Sequence, residues 1–415
     1  MRWETVQIKD VCKKVTSGGT PLTSKENYYF PRQIPWVKTK EVNYCRITDA
    51  ETYISQEGLD NSSAKLIPAN SVIVAMYGQG DTAGRVAINK IPVATNQACC
   101  NLIIDTAKAD YRFIYYKLST LYEKLVSLKN GGAQPNLNAA IIKSLEIEIP
   151  TLEVQHNIAD MLSAYDDLIE NNQKQIKLLE EAAQRLYKEW FVDLRFPGYE
   201  NTPIVDGVPE GWEQKTVEEC LAFHGNGGWG KETPTGKNTY PGKVIRGTDI
   251  NDIKNGHFGD IPTRYHSDND IKSRTLKQYD LVFELSNGNI NNIGRCLFID
   301  DLILKNCGEN TICASFCKLL RPLDELHALI LYLEIQDMQM SGRMLPLKKH
   351  GANGINNFDF EGFLLHALLI PKDTDIVESL KTIMKKISII QGEITLLIEA
   401  RDRLLPKLMS GELEV

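Results

Sequence analysis

No run of the 415-residue sequence reaches the roughly 18 consecutive apolar residues that a membrane-spanning helix needs. The first residues also lack the apolar region of a signal peptide. Nine cysteines are scattered without a Cys-x-x-Cys pair, and the seven histidines form no His-Glu-x-x-His motif. We therefore expect a cytoplasmic protein with reduced thiols and no bound metal.

Motifs of nucleotide-driven and methyl-transferring enzymes are also absent. The sequence has no Gly-x-x-x-x-Gly-Lys-Ser/Thr loop and no Asn/Asp-Pro-Pro-Tyr motif. The letters Gly225-x-Gly227-x-x-Gly230 match the dinucleotide-binding pattern, but the residues that follow include Pro234 and predict a loop instead of a helix. We therefore expect that the chain is not an enzyme by itself and binds no cofactor.

The formal net charge of −7 is distributed unevenly. Residues 1–150 carry a small excess of Lys and Arg, whereas the rest of the chain is net acidic. A protein that binds DNA alone is usually more basic. Charge therefore supports nucleic-acid binding only weakly, and only in the first half.

The main feature that is present is an internal repeat. Short segments recur in the same order and at a nearly constant distance along the chain. The matched segments are 3–4 (WE) with 212–213 (WE), 37–42 (VKTKEV) with 245–250 (IRGTDI), 84–88 (GRVAI) with 294–298 (GRCLF), 132–134 (GAQ) with 351–353 (GAN), 149–150 (IP) with 370–371 (IP), and 178–182 (LLEEA) with 396–400 (LLIEA). The chain therefore consists of two similar halves.

Each half begins with a region of short strand-like runs and many turn signals. In the first half, residues 66–76, 86–88 and 102–105 predict strands, and residues 111–129 predict a helical patch. This pattern predicts a compact α+β domain rich in loops.

Each half then ends in an apolar ladder with alternating steps of four and three residues. Such a 3.5-residue period is typical of a coiled-coil seam, and each ladder spans about 48 Å of helix. The predicted seam consists of Ile158, Leu162, Tyr165, Ile169, Asn172, Ile176, Leu179, Leu186, Ile376, Leu380, Ile383, Ile387, Ile390, Ile394, Leu397 and Leu404.

Packing the two helices against each other is the simplest way to bury both ladders. An antiparallel pair would place one globular domain at each end and give the chain a pseudo-two-fold axis. The alternative is two separate amphipathic helices, each packed on its own domain. Asn172 either fixes the register of the seam or points at solvent or a partner subunit.

Two similar domains on a rigid spacer measure a distance, and the groove of B-DNA repeats about every 34 Å. Because the two domains differ in sequence, they would read two different half-sites. The expected target is therefore bipartite and asymmetric, with an unread gap that the coiled coil sets.

This arrangement closely resembles the specificity subunits of type I restriction–modification systems. The matching residues are 17–21 (SGGTP), 34–38 (IPWVK), 208–212 (VPEGW) and the tail 404–415 (LLPKLMSGELEV). The resemblance covers the whole chain. In the second half, residues 225–231 (GNGGWGK) depart from the Ser-Gly-Gly-Thr-Pro pattern.

The resemblance implies the domain organisation and the partners. The predicted parts are a first target recognition domain (1–150), a first conserved spacer helix (151–193), a linker (194–211), a second target recognition domain (212–371), and a second conserved spacer helix with the C-terminal tail (372–415). The implied partners are double-stranded DNA, two methyltransferase subunits that bind S-adenosylmethionine and methylate adenine, and restriction-translocase subunits. The methyltransferases would extrude the target base from the duplex.

Candidate DNA contacts are polar and basic residues of the predicted loops. In the first domain they are Thr20, Lys38, Lys40, Tyr77, Gln79, Asp81, Arg85, Asn96, Gln97, Gln134 and Asn136. In the second domain they are Asn226, Trp229, Lys231, Arg246, Asn287, Asn289, Arg295, Lys348, Lys349, His350 and Asn353.

Alternatives remain for these residues and for the whole chain. Each candidate is otherwise a solvated loop residue or an Asn that holds a turn. Arg85 and Arg295 recur in both halves and are otherwise members of structural ion pairs. For the chain, the alternatives are a coiled-coil scaffold that assembles protein partners without reading DNA, and an enzyme with an unrecognised site.

Overall fold

A computed structural model describes residues 3–78, 80–129, 136–259, 261–351 and 354–415, apart from the side chain of Ile376. The chain divides into two compact units, Met1–Asp167 with Glu399–Val415 and Leu168–Ile398. The structure contains both α-helices and β-strands, and two of its helices are long. This confirms the predicted fold class in its kinds of secondary structure.

The first unit is built around a five-stranded and a four-stranded sheet. Its strands are β1 (Glu4–Gln7), β2 (Cys12–Ser17), β3 (Ile34–Val37), β4 (Cys45–Ile47), β5 (Tyr53–Ile54), β6 (Leu66–Ile67), β7 (Val72–Ala75), β8 (Val86–Asn89), β9 (Val93–Thr95), β10 (Cys99–Ile104) and β11 (Glu146–Ile149).

The sheets of the second unit have two to four strands each. Its strands are β12 (Ile204–Val205), β13 (Val208–Pro209), β14 (Trp212–Thr216), β15 (Leu221–Asn226), β16 (Asn238–Ile245), β17 (Thr263–Ser267), β18 (Leu281–Glu284), β19 (Ser286–Asn287), β20 (Cys296–Phe298), β21 (Ile312–Cys313), β22 (Cys317–Pro322), β23 (Lys348–Lys349), β24 (Asn356–Phe358) and β25 (Ala367–Pro371).

Two of the helices are much longer than the rest. The helices are α1 (Gln56–Asp60), α2 (Tyr111–Ser119), α3 (Tyr122–Ser127), α4 (Ala139–Ser144), α5 (Leu152–Tyr187), α6 (Asp249–Lys254), α7 (Asp268–Arg274), α8 (Asp301–Cys307), α9 (Glu325–Ser341), α10 (Phe360–Leu364) and α11 (Glu378–Ser410).

The strand order of the first unit recurs in the second. The order β2-β10-β7-β8 corresponds to β15-β22-β18-β20, and the parallel pair β3·β9 corresponds to β16·β21. Gly84 and Gly294, which are matched in the sequence, both have positive φ angles, of 100° and 86°, just before the equivalent strands β8 and β20. The sequence repeat is therefore also a repeat of backbone topology.

Two local predictions need correction in detail. The predicted strand 66–76 is divided into β6 and β7 because Asn70 has a φ of 63°, which makes a turn between them. The helical patch 111–129 is two helices, α2 and α3, that are separated at Thr120. Asp110 caps α2 by accepting a hydrogen bond from the Arg112 backbone N–H at 2.7 Å.

Segments of both long helices pack together within each unit. In the first unit, Ile158 and Leu162 of α5 and Leu408 of α11 belong to one apolar core. In the second unit, a smaller cluster combines ladder residues of both helices, namely Ile169, Ile176, Ile387, Ile390 and Ile394. Burying an apolar side chain of this size contributes about 1.5–3 kcal/mol, so these contacts hold the two helices together in each unit.

The seam of the second unit has one buried polar member. Asn172 is 8% exposed, and its Nδ2 donates a hydrogen bond to Oε2 of Glu393 at 3.2 Å. Farther along α5, Tyr187 lies in one core with Leu380 of α11. The two helices therefore run in opposite directions in this unit, and the contact supports the register alternative for Asn172.

The second ladder extends beyond its helix at one end. A 3₁₀ turn over Thr374–Val377 precedes α11, so Ile376 is not on the long helix. Asp373 stabilises this turn by accepting a hydrogen bond from the Asp375 backbone N–H at 2.9 Å. The other predicted ladder members are buried or partly buried.

Candidate nucleic-acid interface

The loop after β2 presents Thr20 through two tightly packed glycines. The Gly18 N–H donates to the Cys99 carbonyl at 3.2 Å, and the Gly19 N–H donates to the Thr95 carbonyl at 2.9 Å. A Cβ on Gly18 would lie 2.1 Å from the Thr95 oxygen, which no side chain tolerates. The Thr20 hydroxyl donates to the exposed side chain of Gln97, so two predicted contacts meet here.

The second unit repeats this loop with a different tip. The Gly227 N–H donates to the Cys317 carbonyl at 3.0 Å, and the Gly228 N–H donates to the Cys313 carbonyl at 2.9 Å. A Cβ on Gly227 would lie 2.1 Å from the Ala314 oxygen. The segment that departs from the Ser-Gly-Gly-Thr-Pro pattern thus keeps its backbone role, with Trp229 in the place of Thr20. It leads into no helix over 227–237, so the prediction that a loop follows these glycines is confirmed.

Trp229 forms an exposed platform with an arginine that sequence reasoning missed. The side chain of Trp229 is 40% exposed, and the guanidinium carbon of Arg264 lies 4.8 Å from its ring centroid. Arg264 also forms an ion pair with Glu232 at 3.4 Å. The predicted contact Lys231 is exposed beside this platform, and its backbone bonds to Tyr265 of β17.

Asp81, which lies between β7 and β8 of the first unit, is held by an arginine. Arg85 forms an ion pair with Asp81 at 2.7 Å and donates to Oδ1 of Asn43 at 2.8 Å. Tyr77 packs against the core, and burial raises the pKa of its hydroxyl. Asp81 remains 75% exposed, so it keeps a polar group at the surface.

Arg295 occupies the position equivalent to Arg85 and is similarly exposed, at 18% against 25%, but its partner carboxylate is buried. Its Nε donates to Oε2 of the buried Glu284 at 2.7 Å, and its Nη2 donates to the Gly247 carbonyl at 2.8 Å. These contacts favour the structural alternative for Arg295. Arg246 is similarly engaged, because its Nη2 forms an ion pair with the buried Asp249 at 2.6 Å.

Five predicted contacts of the second unit gather around one three-stranded sheet of order β19-β24-β23. They are Asn287, Asn289, Lys348, Lys349 and His350. Sequence reasoning missed Asn357, which lies on β24 opposite Ser286 of β19, and Asn291, which lies in the loop that follows β19.

Hydrogen bonds already engage some of these five residues. Asn287 donates to Glu284 at 2.6 Å, and His350 Nδ1 lies 3.0 Å from Oδ1 of Asn356. Lys349 forms an ion pair with Asp359 at 2.8 Å, and burial lowers the pKa of Lys348.

The remaining candidates are dispersed. The Nζ of Lys38 lies 5.2 Å from the centroid of the Trp36 ring, and Lys40 forms an ion pair with Glu51. In the second unit, Oδ1 of Asn226 accepts a hydrogen bond from Nζ of Lys318 at 3.4 Å. Asn96 has a buried Oδ1 that finds no hydrogen-bond partner among the described residues, and Asn136 is partly buried. Gln79, Gln134 and Asn353 lie outside the described residues.

No group of three or more His, Cys, Asp or Glu side chains among the described residues is placed to hold a metal ion. In the described part of the chain, no helix combines the length and apolarity needed to cross a membrane. The nine cysteines form no disulfide, and seven of them are buried.

A cavity lies in the second unit between the long helices and the globular part. Its volume is about 930 Å³, and its lining includes Glu180, Gln184, Lys254, Tyr332 and Lys381. The lining mixes both charge signs with apolar groups. It therefore defines no particular ligand chemistry.

Comparison with known proteins gives consistent matches. Residues 1–181 match the family described as the type I restriction modification DNA specificity domain. The chain is 33% identical over 229 residues to the type I restriction enzyme MjaIX specificity subunit of Methanocaldococcus jannaschii, covering 53% of this chain and 51% of the relative. It is 28% identical over 182 residues to the EcoR124I/EcoR124II specificity subunit of Escherichia coli, covering 43% and 45%.

These matches span about half the length of the curated relatives. A type I restriction–modification S subunit from M. genitalium has the same fold, with a TM-score of 0.55, 16% identity, and coverage of 98% of this chain and 96% of that chain. The resemblance seen in the sequence is thereby confirmed. Residues 1–181 of the chain thus match the type I restriction modification DNA specificity domain, and the chain is similar to specificity subunits of type I restriction enzymes.

Proposed function

We propose that the chain reads a bipartite, asymmetric target in double-stranded DNA, with one half-site for each globular region. The observation that carries this proposal is the recurrence of one strand order with unlike loop tips. Equivalent backbones present Thr20 in one unit and Trp229 in the other, so they offer different chemistry to a base pair. The division into recognition domains at 1–150 and 212–371 is part of the same proposal.

The two long helices act as the spacer. Their antiparallel contacts in the second unit and their shared core in the first support a continuous coiled coil. Such a strut would fix the number of unread base pairs between the half-sites, because it resists compression and twisting.

Two methyltransferase subunits dock on this spacer. Leu178 and Leu396, which are equivalent in the repeat, are 64% and 68% exposed on α5 and α11. Their exposure at equivalent positions of the two helices is the reason for placing the partner contacts there. Repeat equivalence would provide two similar docking surfaces and hence two copies of one partner.

Catalysis belongs to those partners. Specificity subunits direct methyl transfer and do not perform it, so this chain supplies recognition only. S-adenosylmethionine would bind the methyltransferases, and restriction-translocase subunits would join the assembly. The cytoplasmic location stays a prediction.

The experiment is to express the chain with its methyltransferase subunits in a host that lacks adenine methylation and to map modified adenines across the genome. The proposal expects one motif with two different half-sites and a fixed gap. A continuous motif, a symmetric motif or no sequence-dependent methylation would contradict it.

A further inference from the structure

Three polar side chains form a row across the small sheet of the second unit. Asn357 on the central strand β24 is opposite Ser286 on β19 and opposite Lys349 on β23. Directly paired residues of antiparallel strands project to the same face. The neighbours Asn356 and Phe358 are buried, whereas Asn357 and Lys349 are exposed. The row therefore lies on the solvent face of the sheet.

The loop that follows β19 is fixed by its own polar groups. Asn287 accepts a hydrogen bond from the Asn289 N–H at 2.7 Å, and Asn289 accepts one from the Asn291 N–H at 3.0 Å. Asn356 donates to the carbonyls of Asn287 and Gly288 at 3.3 and 3.0 Å. These bonds connect the loop to β24.

A buried ion pair supports the loop from below. Oε1 of Glu284 accepts from Asn287, and Oε2 of the same carboxylate accepts from Arg295. Glu284 has only 2% of its side chain exposed. Glu284 and Arg295 are therefore positioning residues for the loop.

The asparagines of the small sheet and of the loop that follows β19 divide into two groups. The amides of Asn287 and Asn356 are engaged inside the loop. Asn291 is exposed, and no hydrogen bond of its side chain occurs among the described residues. Asn357 is exposed. Its Oδ1 accepts from the Ser286 hydroxyl at 2.7 Å, its Nδ2 donates to the Ile355 carbonyl at a marginal 3.5 Å, and no other hydrogen bond of its side chain occurs among the described residues.

We propose that Asn357 and Asn291 are specificity-determining residues that read A·T base pairs in the second half-site. The inference rests on the proposed DNA-reading function and names the residues that perform it. A carboxamide offers one acceptor and one donor side by side, which matches N6–H and N7 of adenine in the major groove. Lys349, in the same row, is 63% exposed and would exchange its ion pair with Asp359 for a backbone phosphate.

Preorganisation distinguishes this surface from an ordinary solvated loop. A binding site loses less free energy on association when its groups are already ordered. Here the backbone is held by side-chain hydrogen bonds and a buried carboxylate, while two amides remain available. Asn287 and Asn289, which the sequence suggested as contacts, instead hold the loop in shape.

The test uses the full chain with its methyltransferase subunits, with adenine methylation mapped for Asn357→Ala and Asn291→Ala. We expect each variant to accept other bases at one A·T position of the second half-site, with sites that carry the substituted base rising at least tenfold in methylation. The first half-site should not change. Asn251→Ala, at an exposed Asn of α6 in the same unit, is the matched control and should leave the motif unchanged.

Asn357→Gln separates a reading role from a structural one. Gln keeps the carboxamide, so this variant should retain adenine at the position that Asn357→Ala relaxes. If Asn357→Ala fails to assemble, Asn291→Ala decides, since that side chain forms no hydrogen bond among the described residues. An unchanged second half-site in the alanine variants overturns the inference. Absence of a bipartite motif in the unmodified complex instead overturns the proposed function.

Discussion

Trp229 occupies in the second unit the place that Thr20 takes in the first. Each follows a pair of glycines whose N–H groups donate to equivalent carbonyls, those of Cys317 and Cys313 in one case and those of Cys99 and Thr95 in the other. The backbone is shared and the side chain is not. A repeated fold can thereby carry two different specificities.

Replacing Trp229 should weaken DNA binding without unfolding the chain. Trp229→Ala removes the ring that stacks on Arg264, and a cation–π contact together with base or sugar packing contributes about 1–2 kcal/mol. We expect roughly a tenfold loss of duplex affinity in the assembled complex, measured by fluorescence anisotropy at fixed salt. Phe223→Ala, which removes a ring of equal exposure in the same unit, is the control. Equal losses in both variants would argue against a specific role for Trp229.

The shared glycines should be intolerant of any side chain. Gly227→Ala brings a Cβ to 2.1 Å from the Ala314 oxygen, so the loop has to shift. We expect loss of methylation at the target and a thermal unfolding temperature lowered by several degrees. Gly259→Ala meets no atom within 4 Å and has an ordinary φ, so it should behave as the unmodified chain.

Arg295 and Arg85, although equivalent in the repeat, should differ in their effect on stability. Arg295→Ala leaves the buried Glu284 without its partner, and losing one member of a buried pair costs about 3–5 kcal/mol. Arg85→Ala frees Asp81, which is 75% exposed, and should cost below about 1 kcal/mol. Urea unfolding followed by circular dichroism measures both. Similar small losses would return Arg295 to the list of direct DNA contacts.

The exposed leucines should control assembly. Leu178→Asp and Leu396→Asp place charge at the proposed docking surfaces, and we expect each to remove one methyltransferase subunit from the complex. Light scattering after gel filtration reports the stoichiometry. Leu365→Asp, at a leucine that is 71% exposed elsewhere in the second unit, should leave it intact. Full assembly of the double variant would show that the partner docks elsewhere.

Acidic pH should lower the free energy of unfolding of the second unit, because Glu334 becomes protonated. Burial opposes its ionisation, but hydrogen bonds from His366, Arg343 and Tyr187 outweigh this effect and hold the pKa of Glu334 below its ordinary value. A carboxyl whose pKa is lowered by folding stabilises the protein above its unfolded pKa, and that stability is lost as pH falls through the folded pKa. Glu334→Gln should therefore be less stable at neutral pH and show a shallower loss of stability below about pH 4.5. The prediction would be contradicted if the free energy of unfolding of Glu334→Gln changed with pH in parallel with that of the unmodified chain.

Sequence periodicity predicted the parts of the fold that depend on local order. The ladders located both long helices, and the matched segments around Gly84 and Gly294 located equivalent strands. Residues that depend on distant pairing were missed. Asn357 joins the surface only because β24 pairs with β19, which lies about seventy residues earlier in the chain. The glycine loop of the second unit was interpreted as a departure because Trp229 replaces a threonine, although its backbone bonds are the same.

The spacer is the central claim, and its length is its most direct test. One heptad is inserted into each long helix at the level of Asn172 and Glu393, and modified adenines are mapped in the assembled complex. A heptad adds about 10.5 Å of helix, close to three base pairs of B-DNA. The account predicts unchanged half-site bases with a gap longer by about three base pairs. An unchanged gap, or altered bases within either half-site, would contradict it.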